Sequence, residues 1–172
     1  MLAGPPQRER TVRLGIFAVG KMKRGPEADL VTRYLGWAEK LLRQSGVSQI
    51  MMSEWQPNQA NDAVERKRTE GDSLIRALPP GAVVVVLDER GKDSTTDDFA
   101  DWMTRQIDDR STQDLVFIIG GPDGLDDAVR QRADKLLCFG SMTWPHQMVR
   151  AMLAEQIYRI ATILAGHPYH RR

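Results

Sequence analysis

Leu115-Val116-Phe117-Ile118-Ile119 runs straight into Gly120-Gly121-Pro122-Asp123-Gly124, and Leu136-Leu137-Cys138-Phe139 runs into Gly140-Ser141-Met142-Thr143-Trp144-Pro145-His146. Each is a short apolar stretch, the signature of a strand buried on both faces, that breaks into glycine and small residues. Two such breaks close together in sequence put two loops of bare backbone at the same end of a sheet. Open α/β sheets bind their ligands at that end.

Working outward, the same alternation recurs along the chain. Thr11 to Val19 reads as the first strand, with Val12, Leu14, Ile16 and Ala18 on one face and Phe17 and Val19 on the other. Gly20 ends it and the basic loop Lys21-Met22-Lys23-Arg24-Gly25 follows, either a solvated turn or a phosphate-contacting edge. Pro26 suits a helix start, Leu30, Tyr34, Leu35, Ala38, Leu41 and Leu42 recur at helical spacing, and Gly46 supplies the stop. Val47 to Trp55 is a second strand. The spacing predicts a helix over 63–78 with Val64, Gly71, Leu74, Ile75 and Leu78 on its inner face. Ala82 to Leu87 is continuously apolar and β-branched, as a central parallel strand should be. Thr95 with Asp98 forms a capping pair for a helix that buries Phe99, Trp102, Met103 and Ile107. Between the fourth strand and the fifth, Leu136 to Phe139, a helix buries Leu125, Val129, Ala133 and Leu136. The last helix, about 145–165, carries Val149, Leu153, Ile157, Ile160 and Leu164, with Met148, Met152 and Ile163 widening that stripe enough to suggest two packing partners. Strand and helix alternate without a hairpin signal, so the fold class is α/β, a mostly parallel sheet with helices on both faces. Residues 11–172 are expected to form one domain, preceded by a disordered lead-in over 1–10.

Composition narrows the function. The 172 residues are 41% hydrophobic and 27% charged, enough for one ordinary domain with a sizeable core. No apolar run reaches membrane-spanning length, the start lacks the apolar core of a signal peptide, and a single cysteine suits a reducing compartment, so a cytoplasmic protein is expected. With 24 basic and 23 acidic residues the net charge is +1, so a nucleic-acid partner must be held by a local patch. The histidines at 146, 167 and 170 have no acidic residue near them at ligand spacing, so no metal is expected.

Several residues carry possible chemistry beside a plain structural explanation. The 120–124 glycines offer backbone N–H groups, but lack the dinucleotide fingerprint and the phosphate-binding lysine, and a tight strand-to-helix turn explains them equally well. Phe139 to Trp144 mixes apolar walls with exposed backbone, which suits a flat heteroaromatic; Phe139 and Trp144 could equally plug the core. Cys138 reads as a small buried hydrophobe within a strand. Glu155 and Arg159 form a helix-surface pair, and Arg150 either shares that surface or faces a phosphate. His167, Tyr169, His170, Arg171 and Arg172 combine planar rings with guanidinium groups, a composition suited to an unstacked RNA nucleotide, although a frayed basic end explains it too.

Taken together, 117–124, Ser141 to Arg150, Glu155-Gln156-Ile157-Tyr158-Arg159 and the pair Tyr169-His170 closely resemble the RlmH family of ribosomal RNA methyltransferases, of the SPOUT class. The resemblance implies a trefoil-knotted α/β fold, a homodimer, and S-adenosyl-L-methionine as cofactor. Its contacts would be Leu87, Gly120, Phe139, Gly140, Ser141, Met142, Thr143 and Trp144, the last in place of a common Leu or Phe. The implied activity is methylation of N3 of a pseudouridine in large-subunit (23S) rRNA of the assembled ribosome. The alternative is an RNA-binding module that transfers nothing. RNA contacts are expected at Lys21, Arg150, His167, Tyr169, His170, Arg171 and Arg172. Tyr169 and His170 are the candidates for work at the reacting nucleotide, in the partner subunit's site; His170 and His146 are the candidate bases for the N3 proton, with its loss to solvent as the alternative.

Overall fold

The computed structural model describes residues 11–169; His170, Arg171, Arg172 and the lead-in over 1–10 lie outside them. Five parallel strands form one sheet: β1 (Val12–Val19), β2 (Val47–Trp55), β3 (Val83–Lys92), β4 (Asp114–Ile119) and β5 (Lys135–Leu137). Their order across the sheet is β2-β1-β4-β3-β5. Helices α1 (Pro26–Leu42), α3 (Thr96–Asp108) and α5 (His146–Leu164) cover one face, and α2 (Ala63–Ala77) and α4 (Asp127–Arg132) the other.

The continuous apolar runs are explained by this sandwich. Along β1, Val12, Leu14, Ile16 and Ala18 pack towards α1, α3 and α5, while Phe17 and Val19 pack towards α2 and α4. β4 splits in the same way, with Leu115, Phe117 and Ile119 on one side and Val116 and Ile118 on the other. Every residue of β4 is buried because both faces are roofed.

Local signals hold at several element ends. Pro26 occupies the first turn of α1, and Gly46 ends the following turn in the left-handed region at φ 91°. Thr95 Oγ1 accepts the N–H of Asp98 at 3.1 Å and its hydroxyl donates to the Asp98 carboxylate at 2.7 Å, closing the start of α3.

Three expectations are corrected. Val64, expected on the inner face of α2, is 65% exposed, because the buried side of that helix is set by Glu70, Gly71 and Leu74. β3 does not end at Leu87: it continues to Lys92, and Leu87 and Lys92 both pair with Leu137. β5 is correspondingly only three residues long, and Cys138 stands just outside it, half-buried, its N–H bonded to the Lys92 carbonyl at 3.1 Å.

The reason for the short β5 is a crossing. The segment after Leu87 leaves the ladder and returns so closely that a Cβ on Gly91 would lie 2.7 Å from the Leu137 carbonyl carbon. Before β5, Asp134 locks the register by accepting the Val84 N–H at 2.8 Å and returning its own N–H to the Val84 carbonyl at 2.8 Å. The chain after β5 then moves to the face opposite α4, where α5 packs on α1 and α3 and Gln156 accepts the Thr96 hydroxyl at 3.0 Å. This passage is compatible with the threading that a trefoil knot requires, an exception to the usual rule that chains do not knot.

Gly91→Ala is therefore expected to destabilise the fold by about 1–3 kcal/mol, since backbone cannot yield as a side chain would. Urea unfolding would measure the loss, and a midpoint equal to that of the parent would contradict the crossing.

Candidate functional site

Parallel strands bring all their carboxyl ends to one rim. There the second half of β3, from Leu87 to Arg90, and the loops after β4 and β5 enclose a cavity of about 450 Å³, within the range that holds a cofactor-sized molecule. Its wall includes Leu87, Gly120, Phe139, Gly140, Met142, Thr143 and Trp144, seven of the eight residues expected at the cofactor. Ser141 sits on the same loop, exposed, outside that wall. Two loops separated in sequence by α4 and β5 thus share one space, as the opening motifs required.

The glycines are explained by backbone approach. A Cβ on Gly120 would meet Leu125 Cγ at 2.8 Å and the Gly124 carbonyl carbon at 3.1 Å, so the loop can fold back only without one. Gly140 has φ 103° and nothing within 4 Å of its missing side chain, so its open side is left free. Trp144 closes the second loop by donating Nε1–H to the Phe139 carbonyl at 3.2 Å while staying 41% exposed.

Charged pairs stiffen the walls. Arg66, on α2, forks onto both carboxylate oxygens of Asp123 at 2.7 and 3.1 Å and donates to the carbonyls of Ala60 and Asn61. The guanidinium holds the Asp123 carboxyl below the usual carboxylate range. Arg130 donates to Asp88 at 2.9 Å, a pair largely buried beside the cavity. Glu70, only 8% exposed, accepts the Asn58 N–H at 2.8 Å and so fastens the loop after β2. None of these pairings was visible in spacing, since Arg66 and Asp123 are 57 positions apart; the hint was an acid next to a glycine, Glu70-Gly71, on the inner side of α2.

Arg150 is a correction. Expected at an RNA phosphate, it is 1% exposed and donates to Glu54 at 2.8 Å and to the carbonyls of Val19 and Gly20 at 2.8 and 2.7 Å. A buried guanidinium must be paired, and here the chain's own backbone and carboxylate take the place of a phosphate. His146 lines the cavity, and burial together with the nearby Arg150 charge lowers its pKa, so it is neutral at pH 7.

The described part of the tail lies elsewhere. Lys21 and His167 are exposed. Tyr169 packs on Tyr158 with ring centroids 4.8 Å apart, stacks under Arg159 and reaches Glu155 at 3.3 Å. Burial and the Glu155 charge push its phenol up to about 12, so it keeps its proton. Tyr158 stands nine residues beyond Val149, the last α5 residue of the cavity wall, which is about 14 Å along the helix. The structure therefore does not bring Tyr169 to the cavity of its own chain.

Among the described residues no cluster of three or more metal-ligating side chains occurs, and no helix is long and apolar enough to cross a membrane. Comparison with known proteins agrees with this architecture. A family model described as "Predicted SPOUT methyltransferase" matches residues 12–170. Proteins named ribosomal RNA large subunit methyltransferase H, from Allorhizobium ampelinum and Sinorhizobium medicae, are 49% and 48% identical over 160 residues, covering 93% of this chain and 99% of each relative. The crystal structure of a probable methyltransferase from Bordetella pertussis superposes with a TM-score of 0.50 at 14% identity, covering 90% of this chain and 96% of that one, a likeness in fold alone. With a family match over nearly its whole length and relatives near half identity, the chain belongs to the SPOUT methyltransferases, in the branch of the ribosomal RNA large subunit methyltransferases H.

Proposed function

We propose that this protein is an S-adenosyl-L-methionine-dependent methyltransferase of large-subunit ribosomal RNA, that its target is N3 of a pseudouridine in the assembled ribosome, and that it works as a cytoplasmic homodimer. The observation that carries this reading is the single cavity shared by the glycine loops after β4 and β5. Leu87, Phe139 and Val149 give it apolar walls, and the glycine at 140 leaves one side free of any side chain. That mixture fits a molecule with a flat heteroaromatic part and a polar remainder. Leu87, Gly120 and the run from Phe139 to Trp144 would hold the cofactor, which when bound supplies a methyl group already activated on a sulfonium.

The chain's own part is then alignment and exclusion of water. The Arg66–Asp123 fork and the Arg130–Asp88 pair keep the walls still, so little ordering is left to be done on binding. The target nitrogen must lose its proton. Tyr169 keeps its own and so serves as a donor or a stacking ring. Within the cavity, neutral His146 has the protonation state a base needs.

The position of Tyr169 supports action across a dimer. Its ring is anchored on Tyr158, about 14 Å along α5 from the last cavity-lining residue of that helix. Tyr169, His170, Arg171 and Arg172, together with His167, are thus proposed to position the nucleotide in the partner's cavity. The half-buried Met148, Met152 and Ile163 on α5 are proposed to lie at the subunit interface.

Two outcomes are expected. Gly140→Val should weaken S-adenosylmethionine binding at least tenfold in calorimetry, because a β-branched residue is strained at this φ and fills the open side; unchanged affinity would remove Gly140 from the site. Deleting 167–172 should leave cofactor affinity intact and abolish methyl transfer from tritiated cofactor to ribosomes. Retained transfer would refute the tail's role.

A further inference from the structure

The loop Lys21-Met22-Lys23-Arg24 places three cations in four positions, in a chain whose net charge is only +1. All three are exposed, and none has an ion pair among the described residues. The loop leaves the carboxyl end of β1, next to β4, and Val19 at its root touches the glycine wall of the cavity: a Cβ on Gly121 would lie 3.0 Å from Val19 Cγ1.

Beneath this loop sits a clasp of four hydrogen bonds. Arg150 Nη2 donates to the carbonyls of Val19 and Gly20 at 2.8 and 2.7 Å, and Nη1 donates to Glu54 Oε1 at 2.8 Å. The same Glu54 oxygen accepts the N–H of Met22 at 2.8 Å. Gly20 adopts φ 95°, and a Cβ there would stand 3.5 Å from Arg150 Nη2 and 3.6 Å from His146 Nε2. Backbone on both sides of the turn is thus gripped by one ion pair.

This clasp is a poor device for stability alone. Apolar replacements of equal volume commonly match or exceed a buried ion pair, and here Arg150 Nε is buried with no partner. What the pair does accomplish is geometric. Its arginine lies on the first turns of α5, the stretch that also sends His146 and Val149 into the cavity wall. One rigid element therefore sets the distance between the cations and the cavity.

We infer that the Arg150–Glu54 pair is a positioning device that holds Lys21, Lys23 and Arg24 as a rigid arm against ribosomal RNA phosphates beside the nucleotide entering the cavity. This rests on the methyltransferase reading above and names how its RNA is gripped. A held arm loses little conformational freedom when phosphates dock, and phosphate contacts fix orientation without reading sequence. Arg150 itself touches no RNA.

The test uses the full-length protein, ribosomes, and binding titrated over a range of salt, with methyl transfer followed separately. Lys23→Ala combined with Arg24→Ala should lower ribosome affinity about tenfold and reduce the slope of log affinity against log salt by about two. Cofactor affinity and kcat should stay at the parent values. Glu54→Gln combined with Arg150→Met keeps every charge on the arm, yet should also lose affinity and slope while cofactor affinity holds. Should that pair fail to fold, Glu54→Gln alone, which keeps an acceptor for Met22, should show the same direction at smaller size. Parent-like affinity and slope in the loop variant would overturn the arm. Parent-like ribosome binding in a folded clasp variant, or a parallel fall in cofactor affinity, would overturn the positioning role. Absence of methyl transfer by the parent protein would count against the enzymatic reading, whereas the salt slopes would still judge the arm.

Discussion

The pairing of β3 with two strands at once is the constraint from which the rest of the structure follows. Val83 to Leu87 align with β4, and Val85 to Leu87 align with β5, so this half of β3 is enclosed on both faces and on both edges. A run of four valines and a leucine meets that demand. The continuation to Lys92 then returns to the same Leu137 that Leu87 already pairs with, which leaves room for only three residues of β5 and none for a side chain at position 91. The loop that follows β5 is thereby pressed against the loop that follows β4, and the cavity is the space between them.

Parallel pairing also explains why charge gathers where it does. All five carboxyl-end loops share a rim, so their polar backbone and their acids and bases are crowded together. The solution is local neutralisation: Asp123 with Arg66, Asp88 with Arg130, Glu54 with Arg150. Each pair joins segments far apart in sequence, and each stiffens one side of the rim. Stability is the smaller part of their effect: the partly exposed Arg66–Asp123 pair contributes little, and desolvation offsets much of the attraction in the more buried Arg130–Asp88 and Arg150–Glu54 pairs. Their larger effect is to keep loops that carry few apolar anchors in a single arrangement, which a site that must align donor and acceptor atoms requires.

The two ends of α5 serve different purposes. Its first turns meet the cavity and the β1 loop through His146, Val149 and Arg150. Its later turns carry Tyr158, on which Tyr169 from beyond the helix packs together with Tyr34 and Trp37 of α1. A helix with a broad apolar arc is able to do both because only one side of it is consumed by the sheet. The separation along its axis is what keeps Tyr169 away from the cavity of its own chain.

Much of this was legible in the residues themselves. The alternating faces of β1 and β4, the glycine breaks after β4 and β5, Pro26 and Gly46 at the ends of the first helix and the Thr95 cap are local properties, set by side-chain periodicity and by the φ angles a residue tolerates. They decided the fold class and pointed to the site. Val64, Cys138 and Arg150 were misplaced for a common reason. Position within a helix or strand says which way a side chain leaves the backbone, but not what stands opposite it. Arg150 found carbonyl acceptors 130 and 131 positions away, at the end of β1, so an arginine that composition assigns to solvent or phosphate became the most deeply buried charge described. The sequence alone determined the elements and where backbone would be bare; the tertiary structure decided which charges face each other, because a buried charge takes whatever partner the packing brings within hydrogen-bond reach.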